Sequence, residues 1–169
     1  ALRDHGDQGM TGMRIGLGID VHRLAEGNRC VLGGIEIPSP LGPVGHSDGD
    51  AVLHAVCDAV LGAAGLDDLG SLFPDDDAAH ADRPSSEFCD EVLVRTKQAG
   101  FAVVSLDVVV ETDRPILKPH RGAIRERIAA LFEVPVAAVN VKGKSGEGVG
   151  PIGRREAIRA TAVALLQTT

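Results

Sequence analysis

The amino-acid sequence predicts a single α+β domain in which helices cover a mixed β-sheet. Three observations support this prediction: the chain opens with strand-like alternation, two helix-like stretches follow, and strands and helices then alternate to the end. With 169 residues, 44% of them hydrophobic, the chain can bury one core without disulfides or a structural metal.

The first predicted elements are strands. Residues 13–20 alternate around apolar side chains, and residues 29–37 fit two short strands that turn at a Gly-Gly pair. Residues 1–12 lack periodicity and are rich in Gly and Asp, which is typical of a disordered lead or an expression remnant. We therefore expect the folded domain to comprise residues 13–169.

Two helices are predicted next. Apolar residues recur at helical spacing from residue 48 to residue 64, and Gly65 is a plausible stop. The second helix spans residues 85–99, begins at a serine that can act as N-cap, and ends before Gly100.

The remaining elements complete the mixed order. Residues 102–110 are predicted as a long strand, residues 119–132 as a helix and residues 139–144 as a further strand. After a Gly-rich turn, residues 154–167 are predicted as a closing helix.

Composition argues against several classes of function. The formal net charge of -7 argues against a nucleic acid partner, which would require clustered Lys and Arg. No apolar run approaches the roughly 18 residues of a membrane span, and the first residues do not resemble a basic signal leader, so neither membrane contact nor secretion is expected. Cys30, Cys57 and Cys89 are odd in number and far apart in the sequence, which favours a reducing, cytoplasmic location.

Three side chains are candidate metal ligands. Asp20 and His22 lie two residues apart at the end of a predicted strand, so their side chains leave on the same face. His54 lies in the first predicted helix, in a polar stripe with Asp50 and Asp58 at i, i+4 spacing. Two imidazoles and one carboxylate leave a tetrahedral zinc one open position, as in catalytic sites. On spacing alone, the alternative stays open that these are hydrogen-bonded strand-end and core residues.

A longer joint pattern favours the metal site. The segments that carry it are RIGLGIDVH at 14–22, Gly33-Gly34, HSDGD at 46–50 with Leu53-His54, DLG at 68–70 and FPD at 73–75. In order and spacing they resemble the 2-C-methyl-D-erythritol 2,4-cyclodiphosphate synthase family over about residues 13–167.

The resemblance implies a phosphorus-oxygen lyase of the non-mevalonate isoprenoid pathway. Such an enzyme converts 4-diphosphocytidyl-2-C-methyl-D-erythritol 2-phosphate into the cyclic diphosphate and releases CMP. The resemblance also implies a homotrimer with active sites between subunits.

Two kinds of metal ion are implied. Asp20, His22 and His54 would hold Zn²⁺ or another divalent transition metal, which acts as a Lewis acid on a diphosphate oxygen. Glu147 matches a position that ligates Mg²⁺ or Mn²⁺ bridging the substrate phosphates. Without the resemblance, Glu147 would be interpreted as a solvated loop carboxylate.

The resemblance assigns transition-state stabilisation to His46 and Ser145, and phosphate binding to Ser47. The same segment also fits a turn into a helix with Ser47 or Asp48 as N-cap. Residues 68–70 and the loop 73–77 are expected to hold the erythritol moiety, and residues 112–118 to frame the cytidine. The residues assigned to substrate binding are Asp20, Val21, His22, His46, Ser47, Asp68, Leu69, Gly70, Phe73, Pro74, Asp75, Asp76, Asp77, Thr112, Pro115, Leu117, Lys144, Ser145, Gly146, Glu147 and Arg154.

Three positions depart from the family pattern. Ile116 stands where Lys is frequent, Pro151 where some members have Phe, and Arg155 where they have Gly. The cytidine contacts and the region near the trimer axis are therefore expected to differ in this chain.

Two other functions fit the metal ligands. One is a zinc phosphohydrolase that uses metal-bound water, and the other is a non-catalytic, metal-stabilised binding module. A hydrolase would release linear products, whereas a binding module would show no turnover and would need a fourth protein ligand.

Overall fold

The computed structural model describes residues 12–45, 47–74 and 83–169. Its α+β fold contains a mixed five-stranded sheet with the strand order β4-β1-β7-β5-β6. In chain order the elements are β1 (Met13–Glu26), β2 (Val31–Leu32), β3 (Ile35–Glu36), β4 (Leu41–Pro43), α1 (Ala51–Ala64), α2 (Leu69–Leu72), α3 (Ser85–Gln98), β5 (Phe101–Glu111), α4 (Arg121–Leu131), β6 (Val139–Lys144), α5 (Gly150–Gly153) and β7 (Ala157–Thr168).

The predicted α+β fold class with a mixed sheet is confirmed. Strands β5 and β6 are parallel, whereas the other neighbours in the sheet are antiparallel. Strands β2 and β3 form a separate hairpin. Within the described ranges, no helix is long and apolar enough to cross a membrane.

The C-terminal segment is a strand, so the helix predicted for residues 154–167 is wrong. Its many Ala and Leu residues have high helix propensity, but the segment pairs with β1 on one side and β5 on the other. Burial alternates along β7 with the period of a strand. The fully buried residues are Ile158, Ala160, Ala162, Ala164 and Leu166.

Other elements differ from prediction mainly at their boundaries. Helix α1 has Asp50 as its N-cap instead of Ser47 or Asp48, and α4 begins at Arg121. Strand β4, the short helices α2 and α5, and a 3₁₀ turn at Val136–Ala138 were not predicted. Each is four residues or shorter, too short for periodicity to reveal.

Strand β1 and helix α1 approach each other closely because glycines face the helix. A Cβ atom on Gly16 would lie 2.0 Å from the carbonyl oxygen of Ala59, and one on Gly18 would lie 2.0 Å from that of Ala55. Any side chain there would clash with the helix backbone. The end of β1 consequently lies beside the start of α1.

A buried carboxylate fixes the start of α1. Asp50 Oδ1 accepts hydrogen bonds from the backbone N–H groups of Val52, Leu53 and Gly33 at 3.1, 3.0 and 2.8 Å. Its Oδ2 accepts one from Gly34 at 2.6 Å. Asp50 therefore caps the helix and ties the β2–β3 hairpin to it.

The helices leave one face of the sheet uncovered on β1. Side chains there are 45% to 74% exposed although they are apolar. We call this the uncovered face, and its β1 residues are Met13, Ile15, Leu17, Ile19 and Val21. Such a continuous apolar surface is typical of an interaction site.

Two of the three cysteines meet in the core. Cys57 Sγ on α1 lies 3.6 Å from Cys89 Sγ on α3, and all three cysteines are free thiols. Distance along the sequence therefore did not indicate their distance in space.

Candidate metal centre and active site

Three candidate metal ligands meet where the end of β1 lies beside α1. His22 Nε2 is 2.8 Å from Asp20 Oδ2, and His54 Nδ1 is 3.3 Å from the same oxygen. The two nitrogens are 3.4 Å apart. Among the residues that the structure describes, this is the one group of three or more such side chains close enough to share an ion.

Helix α1 presents His54 on its only accessible stripe. Eleven of its 14 residues are buried, and those that are not are His54, Asp58 and Gly62, spaced four apart. Asp58 Oδ1 accepts a hydrogen bond of 2.8 Å from the backbone N–H of Leu69, which ties α2 to this stripe. Burial raises the pKa of Asp58.

Hydrogen bonds orient both imidazoles. His22 Nδ1 lies 2.9 Å from the Val44 carbonyl oxygen, which can only accept, so Nδ1 carries the proton and Nε2 presents a lone pair to the cluster. His54 Nε2 lies 2.9 Å from Ser85 Oγ and 3.3 Å from Ser47 Oγ. Its Nδ1 therefore faces the cluster.

The close packing of the three groups shifts their pKa values. Burial alone would raise the pKa of Asp20, but contact with His22 and His54 holds it well below its usual range. Burial would lower the pKa of His22, but Asp20 and the Val44 carbonyl outweigh it and raise this pKa above its ordinary value. In metal-free protein the carboxylate thus stays ionised and favours a protonated imidazole beside it.

The cluster fits a divalent transition metal. Asp20 Oδ2 is buried from solvent and accepts no hydrogen bond of acceptable geometry from the described residues, although His22 Nε2 is only 2.8 Å away. A buried carboxylate oxygen without a well-aligned donor is costly. A bound cation would take the place of the imidazole proton as its partner. Two imidazole nitrogens and one carboxylate oxygen are ligands that Zn²⁺ accepts.

The cluster opens onto a cavity of about 380 Å³. The lining residues are Asp20, His22, Val44, Gly45, Ser47, His54, Asp58, Leu69, Gly70, Phe73 and Phe88. We call this cavity the metal pocket. It brings together six residues predicted to bind substrate, which are Asp20, His22, Ser47, Leu69, Gly70 and Phe73.

Sequence reasoning did not assign several lining residues to the site. Val44 and Gly45 follow β4, and Phe88 lies on α3 with its ring centroid 4.9 Å from that of Phe73. The helical spacing of Asp58 after His54 was the one available signal, since apolar residues such as Phe88 are indistinguishable from core in a sequence.

Other predicted residues lie apart from the metal pocket or are not described. Asp68 is exposed and caps α2 through Ser71 N at 2.8 Å. Pro74 is exposed, and Val21 belongs to the uncovered face. The predicted residues that lie outside the described ranges are His46, Asp75, Asp76 and Asp77; their roles stay predictions.

A second cavity, of about 360 Å³, lies at the carboxyl ends of β5 and β6. We call it the basic pocket, and its lining residues are Thr112, Asp113, Arg114, Pro115, Ile116, Leu117, Lys118, Arg121, Gly143, Lys144 and Ser145. The predicted residues Thr112, Pro115, Leu117, Lys144 and Ser145 all lie here. Four of the lining residues are cationic and one is acidic, which suits an anionic ligand.

The loop after β6 carries the remaining predicted residues. Ser145 Oγ donates a hydrogen bond of 2.6 Å to Glu147 Oε1, and Glu147 is exposed. Gly146 packs against the backbone of α5, and Arg154 pairs with Glu156 at 2.9 Å. Neither Glu147 nor Arg154 is among the residues that line the two pockets.

Known proteins resemble the chain over most of its length. The sequence pattern of the YgbB family matches residues 13–167. The 2-C-methyl-D-erythritol 2,4-cyclodiphosphate synthase of Gemmatimonas aurantiaca is 47% identical over 91% of this chain and 93% of its own length.

Solved structures show the same fold. The bifunctional IspDF of Campylobacter jejuni is 33% identical with a TM-score of 0.90; the match covers 94% of this chain but 43% of that protein. A 2C-methyl-D-erythritol-2,4-cyclodiphosphate synthase in a CDP-bound form is 40% identical with a TM-score of 0.85, over 91% of this chain and 100% of its own.

Proposed function

The chain belongs to the YgbB family of 2-C-methyl-D-erythritol 2,4-cyclodiphosphate synthases, and we propose that the metal pocket is where it catalyses their reaction. It is a phosphorus-oxygen lyase of the non-mevalonate isoprenoid pathway. The substrate is 4-diphosphocytidyl-2-C-methyl-D-erythritol 2-phosphate, and the products are the cyclic diphosphate and CMP. The catalytic domain comprises residues 13–169.

The reaction needs no nucleophile from the protein. An oxygen of the substrate's 2-phosphate forms a bond to the β-phosphorus, and the bond from that phosphorus to the oxygen bridging to the α-phosphorus breaks, so that CMP leaves with this oxygen. The protein must position these groups and offset their negative charge.

The observation that carries the proposal is the convergence of Asp20, His22 and His54 on one point of the metal pocket. These residues would hold Zn²⁺, which when bound acts as a Lewis acid on a diphosphate oxygen. The two imidazoles are oriented before the ion arrives, because hydrogen bonds fix their outer nitrogens.

Polar groups around the metal pocket take the remaining tasks. Ser47 lies beside His54 and is positioned to donate to a phosphate oxygen, with His46 and Ser145 stabilising the transition state. Asp68, Leu69 and Gly70, with the loop that follows, bind the erythritol hydroxyls.

The basic pocket binds the cytidine monophosphate portion. Its cations Arg114, Lys118 and Lys144 would attract the phosphate. Because Ile116 stands where relatives often have Lys, these three take a larger share of the charge neutralisation. Glu147 would hold the Mg²⁺ or Mn²⁺ that bridges the substrate phosphates.

A complete site is assembled between subunits of a homotrimer. Strands β7 and β5 separate β1 from β6, so three strand spacings, about 14 Å, lie between the cluster and the loop that holds Ser145 and Glu147. Those residues are assigned to phosphates next to the metal, which favours their being supplied by a neighbouring subunit. The uncovered face provides an apolar surface for this association.

The trimer is tested by placing a charge on the uncovered face. Leu17→Arg should give monomers in light scattering and lose activity. Val94→Arg is the control, because Val94 is 53% exposed on α3, away from this face. A Leu17→Arg protein that remained trimeric would show that this face is not the interface.

The reaction is tested by phosphorus NMR of substrate incubated with protein, zinc and magnesium. Wild type should form the cyclic diphosphate and CMP, and Asp20→Asn should lose this activity together with zinc binding. Asp90→Asn, an exposed carboxylate change on α3, should retain both. Linear hydrolysis products would support a phosphohydrolase instead, and intact substrate with tight zinc binding would support a binding module.

The predicted cytoplasmic location and the expected lack of a nucleic acid or membrane partner stay predictions.

A further inference from the structure

A buried hydroxyl connects His54 to a carboxylate outside the metal cluster. Ser85 is fully buried at the first position of α3. Its Oγ lies 2.9 Å from His54 Nε2 and donates a hydrogen bond to Asp48 Oδ1. The three side chains thus form a hydrogen-bonded series that leads from Asp48 through Ser85 to Nε2, the outer nitrogen of His54.

The number of protons shared by Asp48, Ser85 and His54 determines the tautomer of His54. Asp48, when ionised, can only accept hydrogen bonds, so the single hydroxyl proton of Ser85 must point at Asp48. The Ser85 oxygen then has only lone pairs to offer His54. Ser85 is the nearer partner of Nε2, at 2.9 Å against 3.3 Å for Ser47 Oγ. Nε2 therefore carries the imidazole proton and donates it to Ser85, which leaves Nδ1 unprotonated beside Asp20 and His22.

Asp48 also holds Ser85 in place through the main chain. Its Oδ2 accepts a hydrogen bond of 3.0 Å from the backbone N–H of Ser85. Helix α3 has Pro84 at its N-cap and no side-chain cap of its own, so Asp48 supplies the missing acceptor from another part of the chain.

The two histidines of the cluster are controlled differently. His22 is fixed by the main-chain carbonyl of Val44, and this carbonyl remains whichever residue stands at position 44. His54 is instead fixed by side chains: Ser85, which Asp48 orients, and at a longer distance Ser47. The tautomer of one ligand therefore depends directly on which residues stand at positions 48 and 85.

We propose that Asp48 and Ser85 are positioning residues that hold His54 as its Nε2–H tautomer and so set the affinity of the cluster for zinc. This inference rests on the proposed function only in taking the cluster as a zinc site. The hydrogen-bonded state itself is a property of the metal-free protein.

The first test is nitrogen NMR of metal-free protein labelled with ¹⁵N-histidine, at a pH where the imidazoles are neutral. The His54 signals are identified by their loss in His54→Gln. We expect a protonated Nε2 and an unprotonated Nδ1. A proton on Nδ1 of wild-type His54 would overturn the proposal, whatever the activity of the enzyme.

The second test measures zinc affinity by competition with a chelator. Asp48→Asn keeps the shape of the side chain. Its oxygen can keep the 3.0 Å bond from the Ser85 N–H in the place of Oδ2, at the cost of the longer 3.2 Å bond from the Asp50 N–H to Oδ1. The amide nitrogen then donates to Ser85 Oγ, which frees the Ser85 proton for His54 Nε2 and moves the imidazole proton to Nδ1. Ser85→Ala removes the acceptor altogether. Both should weaken zinc binding by about 10- to 100-fold, as expected for partners of a metal ligand, and Asp48→Asn should also show the Nδ1–H signal.

Ser86→Ala is the matched control, because Ser86 is the next residue of α3 and is not one of the hydrogen-bonded residues Asp48, Ser85 and His54. It should bind zinc like wild type. Equal affinity in Asp48→Asn, Ser85→Ala and Ser86→Ala would overturn the proposal while leaving the proposed function intact. Failure of wild type to bind zinc would instead refute the proposed metal site and, with it, the effect on affinity. If Ser85→Ala does not fold, the wild-type spectrum and Asp48→Asn still decide.

Discussion

Replacing Asp50 with Asn should destabilise the fold strongly although the two side chains have the same shape. Both oxygens of the buried carboxylate are in use: Oδ1 accepts three backbone N–H groups, and Oδ2 accepts that of Gly34 at 2.6 Å. An Asn could keep the three bonds to its oxygen. Its amide nitrogen would then face the Gly34 N–H, so that two donors oppose each other.

The size of the effect follows from these contacts. Losing a hydrogen bond to a charged group costs about 1.5–3 kcal/mol, and leaving a buried donor unpaired costs about 1–3 kcal/mol. A neutral acceptor also weakens the three remaining bonds. Against this, burial raises the pKa of Asp50 to about 6 despite its backbone donors, so removing the charge recovers some desolvation energy. We expect a net loss of about 2–4 kcal/mol, a large part of the stability of a domain of this size.

Urea denaturation at neutral pH and fixed protein concentration measures this loss. Asp90→Asn serves as the control, because Asp90 is exposed on α3 and should change stability by no more than about 0.5 kcal/mol. If Asp50→Asn stayed within that range, the four hydrogen bonds would not be what fixes the start of α1. Because His54 lies one turn further along α1, the destabilised variant should also bind zinc more weakly.

Three further predictions concern the site and its support. Gly18→Ala should unfold the protein or lower its stability by about 3 kcal/mol or more in thermal melts, because the new methyl group would overlap the backbone of α1. The control is Gly122→Ala on α4, where a methyl group would meet nothing within 4 Å. This variant should be as stable as wild type or slightly more stable. In metal-free protein the raised pKa of His22 contributes stability that is fully present below about pH 6.5 and is lost as pH rises through the raised value. The lowered pKa of Asp20 contributes stability that is lost only as pH falls through its own depressed value. Melting temperature should therefore fall as pH rises above about 6.5, and it should fall by less in His22→Gln, where only the raised carboxyl pKa values such as that of Asp50 remain. An equal fall in wild type and His22→Gln would contradict the assignment. Glu147→Gln should raise the Mg²⁺ concentration needed for half-maximal rate without changing zinc affinity, and an unchanged magnesium titration would exclude Glu147 as a ligand.

The sequence predicted the local parts of the site better than their arrangement. Strand alternation placed Asp20 and His22 on one face, and helical spacing placed His54 on a polar stripe; both are short-range consequences of backbone geometry. Their convergence depends on the packing of β1 against α1, which no local pattern contains. The resemblance to a family supplied that long-range information, whereas the role of Ser85 came only from the structure, since a serine at a helix start is ordinarily a cap.

The error at β7 has a physical cause that also explains the position of the metal cluster. Ala162 and Ala164 pair directly with Gly18 and Gly16 on β1, so that adjacent strands present a patch of small side chains to α1. These Ala residues gave β7 its helix-like composition. Small residues are needed at these positions of the strand because larger side chains would hold α1 away from the sheet. If the helix were held further out, His54 Nδ1 could not lie 3.3 Å from Asp20 Oδ2. The Ala residues of β7 therefore have two effects: they made the sequence of β7 resemble a helix, and they let α1 pack close enough for the metal ligands to meet.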